Sequence, residues 1–260
     1  MKLYYKDDNY TITCGETLVV MQKMVEHNLV FDMILADLPY GTTSNKWDSV
    51  LDLKILWKLY EKLIKENGVI ALTCSQPFTS LLVVSNHEHC EQNKSKLKIR
   101  HEWIWIKNRG SNFANTVREP MKEHESILVF SRGKWTYNKQ MQERTGAGLE
   151  RIQYNVKFES KSENYREFEG RSENKLPKLR VPSSWQKFNT EVGLHPTQKP
   201  VGLMEYMIKT YTNERETILD NTCGSGTTLV AAKNLNRKCY GIDSEEKYCE
   251  IAKNRLLEIQ

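Results

Sequence analysis

Thr217-Ile218-Leu219-Asp220 is a short apolar run that passes into Asn221-Thr222-Cys223-Gly224-Ser225-Gly226-Thr227-Thr228 and then Leu229-Val230-Ala231-Ala232-Lys233. The pattern reads as a strand, a glycine turn and a helix. Gly224 and Gly226 let the backbone turn tightly and approach a ligand, while Thr227 and Thr228 can begin the helix. A second short strand, Lys238-Cys239-Tyr240-Gly241-Ile242, ends at Asp243. An acidic residue about 20 positions past the glycines is placed to hold ribose hydroxyls, as in nucleotide-binding βαβ units. The glycines do not complete G-x-G-x-x-G, and no lysine follows as a phosphate-binding loop requires. A nucleoside without phosphates therefore fits better than NAD or ATP.

A second apolar run, Met33-Ile34-Leu35-Ala36, ends in Asp37-Leu38-Pro39-Tyr40 and Gly41. It reads as a buried strand closed by a proline-containing turn. A carboxylate, backbone carbonyls and an aromatic ring thus share the C-terminal edge of a strand, where open α/β sheets bind ligands. An exocyclic amine on a planar base needs this set: two hydrogen-bond acceptors and a stacking face. The competing reading of these four residues alone is a strand-ending turn whose tyrosine packs. A third segment, His195-Pro196-Thr197-Gln198-Lys199-Pro200, precedes an amphipathic helix from Val201 to Thr210. Its prolines fix the helix entry, and its polar groups and one positive charge suit an amino-acid carboxylate.

Together these three segments resemble the S-adenosylmethionine-dependent DNA amino-methyltransferases of permuted motif order. In that class the catalytic motif comes first, the cofactor glycine loop last, and the DNA-reading segment lies between. Gly15-Glu16-Thr17-Leu18 resembles the family's Gly-Asp-x-Leu element, with Glu16 in place of the acid that contacts the cofactor adenine. His124-Glu125-Ser126-Ile127-Leu128-Val129-Phe130 and Thr136-Tyr137-Asn138 resemble blocks that border the base pocket. The resemblance implies Asp37, Leu38, Pro39 and Tyr40 as the catalytic set. It implies cofactor contacts from Glu16, Asp37, Thr197, Gln198, Lys199, Asp220, Thr222, Cys223, Gly224, Gly226, Thr227 and Asp243, with no metal required. The family pattern has proline where this chain has Leu38; leucine loses the φ restraint but keeps the backbone carbonyl. An initial Asp is typical of adenine-N6 members and an initial Ser of cytosine-N4 members, so the resemblance implies adenine. Cytosine N4, RNA or protein-glutamine methylation, and an inactive DNA- or cofactor-binding relic are the alternatives. The expected partners are double-stranded DNA, a second copy in a homodimer, and a separate restriction endonuclease.

Location of charge supports a polymeric anion as substrate. From Lys134 through Lys187 there are 12 Lys and Arg against 7 Glu, a net of +5, equal to the excess of the whole chain, 38 against 33. Trp135, Tyr137, Tyr154, Phe158, Tyr165, Phe168, Trp185 and Phe188 lie among or beside those charges. Basic and aromatic groups together suit DNA phosphates and unstacked bases. The expected organisation is a doubly wound, Rossmann-like sheet from residues 1–133 and 191–260, with residues 134–190 inserted as the target-recognition segment.

Other features set limits. No run of about 18 apolar residues exists for a membrane span, and Met1 to Asp8 lacks the apolar core of a secretion signal, so a cytoplasmic location is expected. Six scattered cysteines read as reduced core thiols. His87-Glu88-His89-Cys90 invites a metal, but with no matching ligand pair it reads as a solvated loop. Leu53 to Lys65 reads as a helix, Asn67-Gly68 as a turn, and Val69 to Cys74, Trp103 to Ile106 and Ser126 to Phe130 as strands. The alternating tryptophans read as packing. Asn108 to Arg118 reads as a loop near the cofactor, and Asp243-Ser244-Glu245-Glu246 as the serine-capped start of a final helix reaching Leu257.

Overall fold

The computed structural model describes residues 1–41, 48–146, 149–150, 178–194 and 197–259. The described chain divides into two compact units, Met1–Asn138 with Ser184–Gln260, and Lys139–Ser183.

The larger unit is built on β3 (Phe31–Asp37), β4 (Ile64–Cys74), β10 (Thr217–Asp220) and β11 (Lys238–Asp243), the runs whose continuous apolar character marks strands covered on both faces. They join β1 (Lys2–Lys6), β2 (Tyr10–Cys14), β5 (Lys98–Ser111), β6 (Lys122–Ser131) and β9 (Trp185–Lys187) in one sheet of order β1-β2-β11-β10-β3-β4-β6-β5-β9. From β2 to β4 all neighbours are parallel. β6 opposes both β4 and β5, and β1 opposes β2. Alternation assigns each side chain to a face. Met33 and Leu35 join Val69, Ala71 and Ile218 in the core beneath α4 (Val201–Tyr211), α5 (Thr227–Asn234) and α6 (Glu246–Glu258). Ile34, Ala36 and Leu38 join Ile70, Leu72 and Leu219 beneath α1 (Thr17–Glu26), α2 (Leu53–Leu63) and α3 (Phe78–Asn93). This is the expected doubly wound sheet.

Four local readings change. The second helix stops at Leu63 and Ile64 already begins β4, so Gly68 lies inside a strand rather than in a turn. A Cβ at Gly68 would fall 2.9 Å from the Asp32 carbonyl oxygen, so its glycine serves close strand approach. His87 to Cys90 lies in α3, not in a loop. There His89 Nε2 meets Glu61 at 2.7 Å, and among the described residues no group of metal-holding side chains forms. Ser244 does not cap α6; the Asp243 carboxylate instead accepts the Glu245 N–H at 2.8 Å. Among the described residues no helix is long and apolar enough to cross a membrane. All six cysteines are free thiols, five of them buried.

Segments at either end of the basic stretch belong to the larger unit. Trp135 packs against its core, the Tyr137 ring lies 6.2 Å from Tyr211, and Asn138 Nδ2 donates to the Thr212 carbonyl at 3.0 Å. Phe188 packs on Tyr206, and Trp185 lies in β9. In the smaller unit, β7 (Gln142–Glu143) pairs with β8 (Leu179–Arg180). Tyr154, Phe158, Tyr165 and Phe168 lie outside the described residues.

Trp57 is fully buried between α2 and the sheet, tilted on Phe130 at 4.9 Å and donating its indole N–H to Ser85 at 2.9 Å. Trp57→Ala should lower unfolding free energy by about 3–5 kcal/mol, measured as a fall in denaturation midpoint at unchanged slope.

Candidate active site

A cavity of about 930 Å³ opens where β3, β10 and β11 end. Asp37, Leu38, Pro39 and Tyr40 form one wall; Asp220, Thr222, Cys223, Gly224, Thr227 and Asp243 form another; Glu16, Thr197, Gln198 and Lys199 also line it. The β3–β10 pairing, Met33 with Ile218 and Ile34 with Leu219, sets the first two walls side by side. Thr222 Oγ1 then donates to the Asp37 carbonyl oxygen at 3.0 Å, tying the two turns together.

Around the Asp37 carboxylate three donors converge. Tyr40 Oη donates to Oδ1 at 2.8 Å, and Thr73 Oγ1, from the end of β4, donates to the same oxygen. Lys199 Nζ donates to Oδ2 at 2.6 Å and lies 3.3 Å from Glu125 Oε2. Glu125 Oε1 in turn accepts from Lys107 Nζ at 2.5 Å. Burial raises the Tyr40 phenol well above its ordinary range, and the charge of Asp37 adds to that. Burial opposes the charge on Lys199, but Asp37 and Glu125 outweigh it and hold the ammonium above its usual range. Burial likewise opposes ionisation of Glu125, and Lys199 and Lys107 outweigh it. The Tyr40 ring stacks on Phe78 at 5.3 Å.

The opposite wall is a set of acceptors. Asp243 Oδ2 accepts the Gly224 N–H at 2.9 Å, so one carboxylate shapes both the glycine turn and the entry to α6. Burial pushes Asp220 up to about 7, against the opposing hydrogen bonds from Thr228 and the Thr222 N–H. Gly226 precedes α5 without a side-chain cap, which leaves that helix's first N–H groups for a ligand anion.

The DNA methylase family profile matches residues 31–254. The chain belongs to this family. It is 41% identical, over 98% of its own length and 92% of the relative's, to the Type II methyltransferase M2.LlaDCHI of Lactococcus lactis subsp. cremoris. The Type II methyltransferase M.HpaI of Haemophilus parainfluenzae is 28% identical over 94% of this chain and 73% of the relative. The crystal structure of the M1.HpyAVI–SAM complex superimposes with a TM-score of 0.63 at 25% identity, over 95% of this chain and 99% of that one. The cytosine-N4-specific PvuII DNA methyltransferase shares the fold, with a TM-score of 0.66 at 11% identity over 100% of this chain and 90% of that one.

Within this methylase, most residues singled out in the sequence meet at the cavity, with informative exceptions. Gly226 is not on the cavity wall. It adopts φ +79°, and a Cβ there would sit 2.6 Å from that of Ala252, so its role is the turn and the docking of α6. Glu16 lines the cavity with both carboxylate oxygens already accepting the Leu18 and Val19 N–H groups, at 3.1 and 2.8 Å. The Lys199 ammonium is held between the Asp37 and Glu125 carboxylates, at 2.6 and 3.3 Å. Thr136, Tyr137 and Asn138 do not line the cavity. His195 and Pro196 lie outside the described residues.

Thr73, Lys107 and Phe78 went unread in the sequence. Thr73 is the register partner of Asp37, so pairing the two strand ends would have found it. The segment read as a loop from Asn108 to Arg118 begins as strand, since β5 runs to Ser111, and Ser111, Asn112 and Asn115 line the cavity.

Asp220 gives a pH test. Its folded-state pKa, about 7, lies above its ordinary 3.8, so the folded state binds the extra proton between those values. Stability is therefore present below about 4 and lost as pH rises through about 7. Asp220→Asn should flatten that fall in denaturation curves of the cofactor-free protein; an unchanged slope would contradict a buried acid there.

Proposed function

We propose that this methylase methylates N6 of an adenine extruded from double-stranded DNA, with the Asp37 carboxylate and the Leu38 carbonyl as acceptors for the amine. The carrying observation is that Asp37, held by three donors, shares one cavity with the glycine loop, buried Asp220 and half-buried Asp243.

S-adenosylmethionine, when bound, supplies a methyl group already activated by its sulfonium, so no protein nucleophile is needed. The cavity fits it by volume and by donor set. Asp243 offers a carboxylate for ribose hydroxyls, Asp220 an acceptor for an ammonium, and the first turn of α5 a site for a carboxylate. The remaining obstacle is the amine, whose lone pair is delocalised into the base. Two acceptors on its protons favour a tetrahedral nitrogen with the lone pair directed at the methyl group, a positioning effect. Asp37 can also take the released proton. A base stacked in a duplex cannot present its amine to Asp37 on the cavity wall, so it leaves the stack, and Tyr40, backed by Phe78, offers it an aromatic surface.

Adenine is favoured over cytosine because Asp rather than Ser heads the motif. The basic central segment supports reading of the DNA site through phosphates and bases. Likeness to Type II methyltransferases supports a modification role opposite a separate endonuclease chain.

Asp37→Ala should reduce transfer of a radiolabelled methyl group into DNA to background, while calorimetry shows cofactor affinity largely kept. Wild-type turnover by that variant would overturn the assignment. Tyr40→Ala should cost roughly 1–3 kcal/mol in kcat/KM if the base stacks on it; normal kinetics would reduce Tyr40 to packing.

A further inference from the structure

Four charged side chains alternate in sign from the sheet to the cavity: Lys107, Glu125, Lys199 and Asp37. They come from β5, β6, the segment before α4, and the end of β3. Their side chains are 9%, 15%, 8% and 25% exposed. Only Asp37, at the end, opens substantially to the cavity. Charges this buried persist only when paired. The pairing is unequal: Lys199 Nζ is 2.6 Å from Asp37 and 3.3 Å from Glu125.

We infer that Lys199 is the positioning residue of Asp37, pairing its carboxylate and aiming it into the cavity, and that Glu125, anchored by Lys107, limits the strength of that grip. The inference rests on the reading of Asp37 as the amine acceptor. It gives Lys199 a role different from that of a cofactor-carboxylate ligand. Two requirements conflict at Asp37. The carboxyl must be ionised to accept from an amine with both oxygens. A cation bound too tightly would instead make the carboxylate a weak acceptor. Lys199 meets the first requirement. Glu125 meets the second by sharing the ammonium, and Lys107 keeps Glu125 ionised to do so. The other groups facing Asp37 are Tyr40 on its own loop, Thr73 on β4, and Asp220 and Thr222 beside β10. Among these only Asp220 is a carboxylic acid, of the same charge sign as Asp37 when ionised, so among the described residues Lys199 is the cation in direct contact with the Asp37 carboxylate.

The two halves of the inference predict opposite pH shifts. In Lys199→Met, the acid limb of the kcat profile should move up by about one unit or more, since an opposite charge within hydrogen-bond distance typically depresses a carboxyl by that much. In Glu125→Gln the limb should move down, because the ammonium then serves Asp37 alone. Lys199→Arg should restore the limb towards wild type. Affinity for S-adenosylmethionine by calorimetry should change less than threefold in all three variants.

A carbon-13 carboxyl titration of the protein, with Asp37 assigned by its loss in Asp37→Asn, reads the same shifts without turnover. It also shows whether each variant is folded. If Lys199→Met leaves the Asp37 titration in place and weakens cofactor binding tenfold, Lys199 is a cofactor ligand and the inference falls. If Glu125→Gln and Lys199→Met shift the titration in the same direction, the tuning role of Glu125 falls. A wild-type protein that shows the predicted titrations but transfers no methyl group would instead refute the proposed function.

Discussion

The parallel pairing of β3 with β10 is the constraint on which the site depends. It joins chain positions separated by most of the sequence, Met33 with Ile218 and Ile34 with Leu219. From this pair the chain winds in opposite directions. β10 leads through α5, on one face, to β11, while β3 leads through α2, on the other face, to β4. Helices that leave on opposite faces cannot close over the strand ends between them, and the crevice is the cavity. Asp37 and Asp220 each end one of the two strands. The bond from Thr222 to the Asp37 carbonyl fixes their turns in one register.

Strands covered on both faces were the most legible elements. Met33 to Ala36, Val69 to Cys74 and Lys238 to Ile242 are apolar runs bounded by turn residues, and each is a central strand. Leu38 illustrates why the pattern continues past the visible run. It stands on the same face as Ile34 and Ala36 and is only 2% exposed, so packing restrains the turn where the usual proline would have done so. The helix α3 was illegible for the opposite reason. Its polar second half is held by tertiary bonds, His89 to Glu61 and Asn86 Nδ2 to the Leu97 carbonyl at 3.0 Å, which no local periodicity encodes. The hairpin of β1 and β2 gave no signal either, because β1 is largely exposed.

The active-site residues divide along the same line. The carboxylate and the glycine turn could be read because their chemistry is local. Gly226 was only partly legible because a glycine needed for helix packing and one needed for a ligand look alike in sequence; the 2.6 Å approach of Ala252 shows the packing need. The contact between Lys199 and Asp37 spans 162 positions, so nothing local in the sequence reveals an ammonium placed between two carboxylates. Burial makes that arrangement consequential. Each charge in the row from Lys107 to Asp37 is stabilised by its neighbour, so the cavity-lining Asp37 carboxylate carries the electrostatics of the whole row.

The identity of the base proposed to sit at Asp37 separates the adenine reading from the cytosine one. Single-molecule sequencing of DNA from cells expressing the protein reads modified base and sequence context together. The account predicts N6-methyladenine at one short recurring sequence. N4-methylcytosine at such a sequence, or no modification by a folded, cofactor-binding protein, would contradict it.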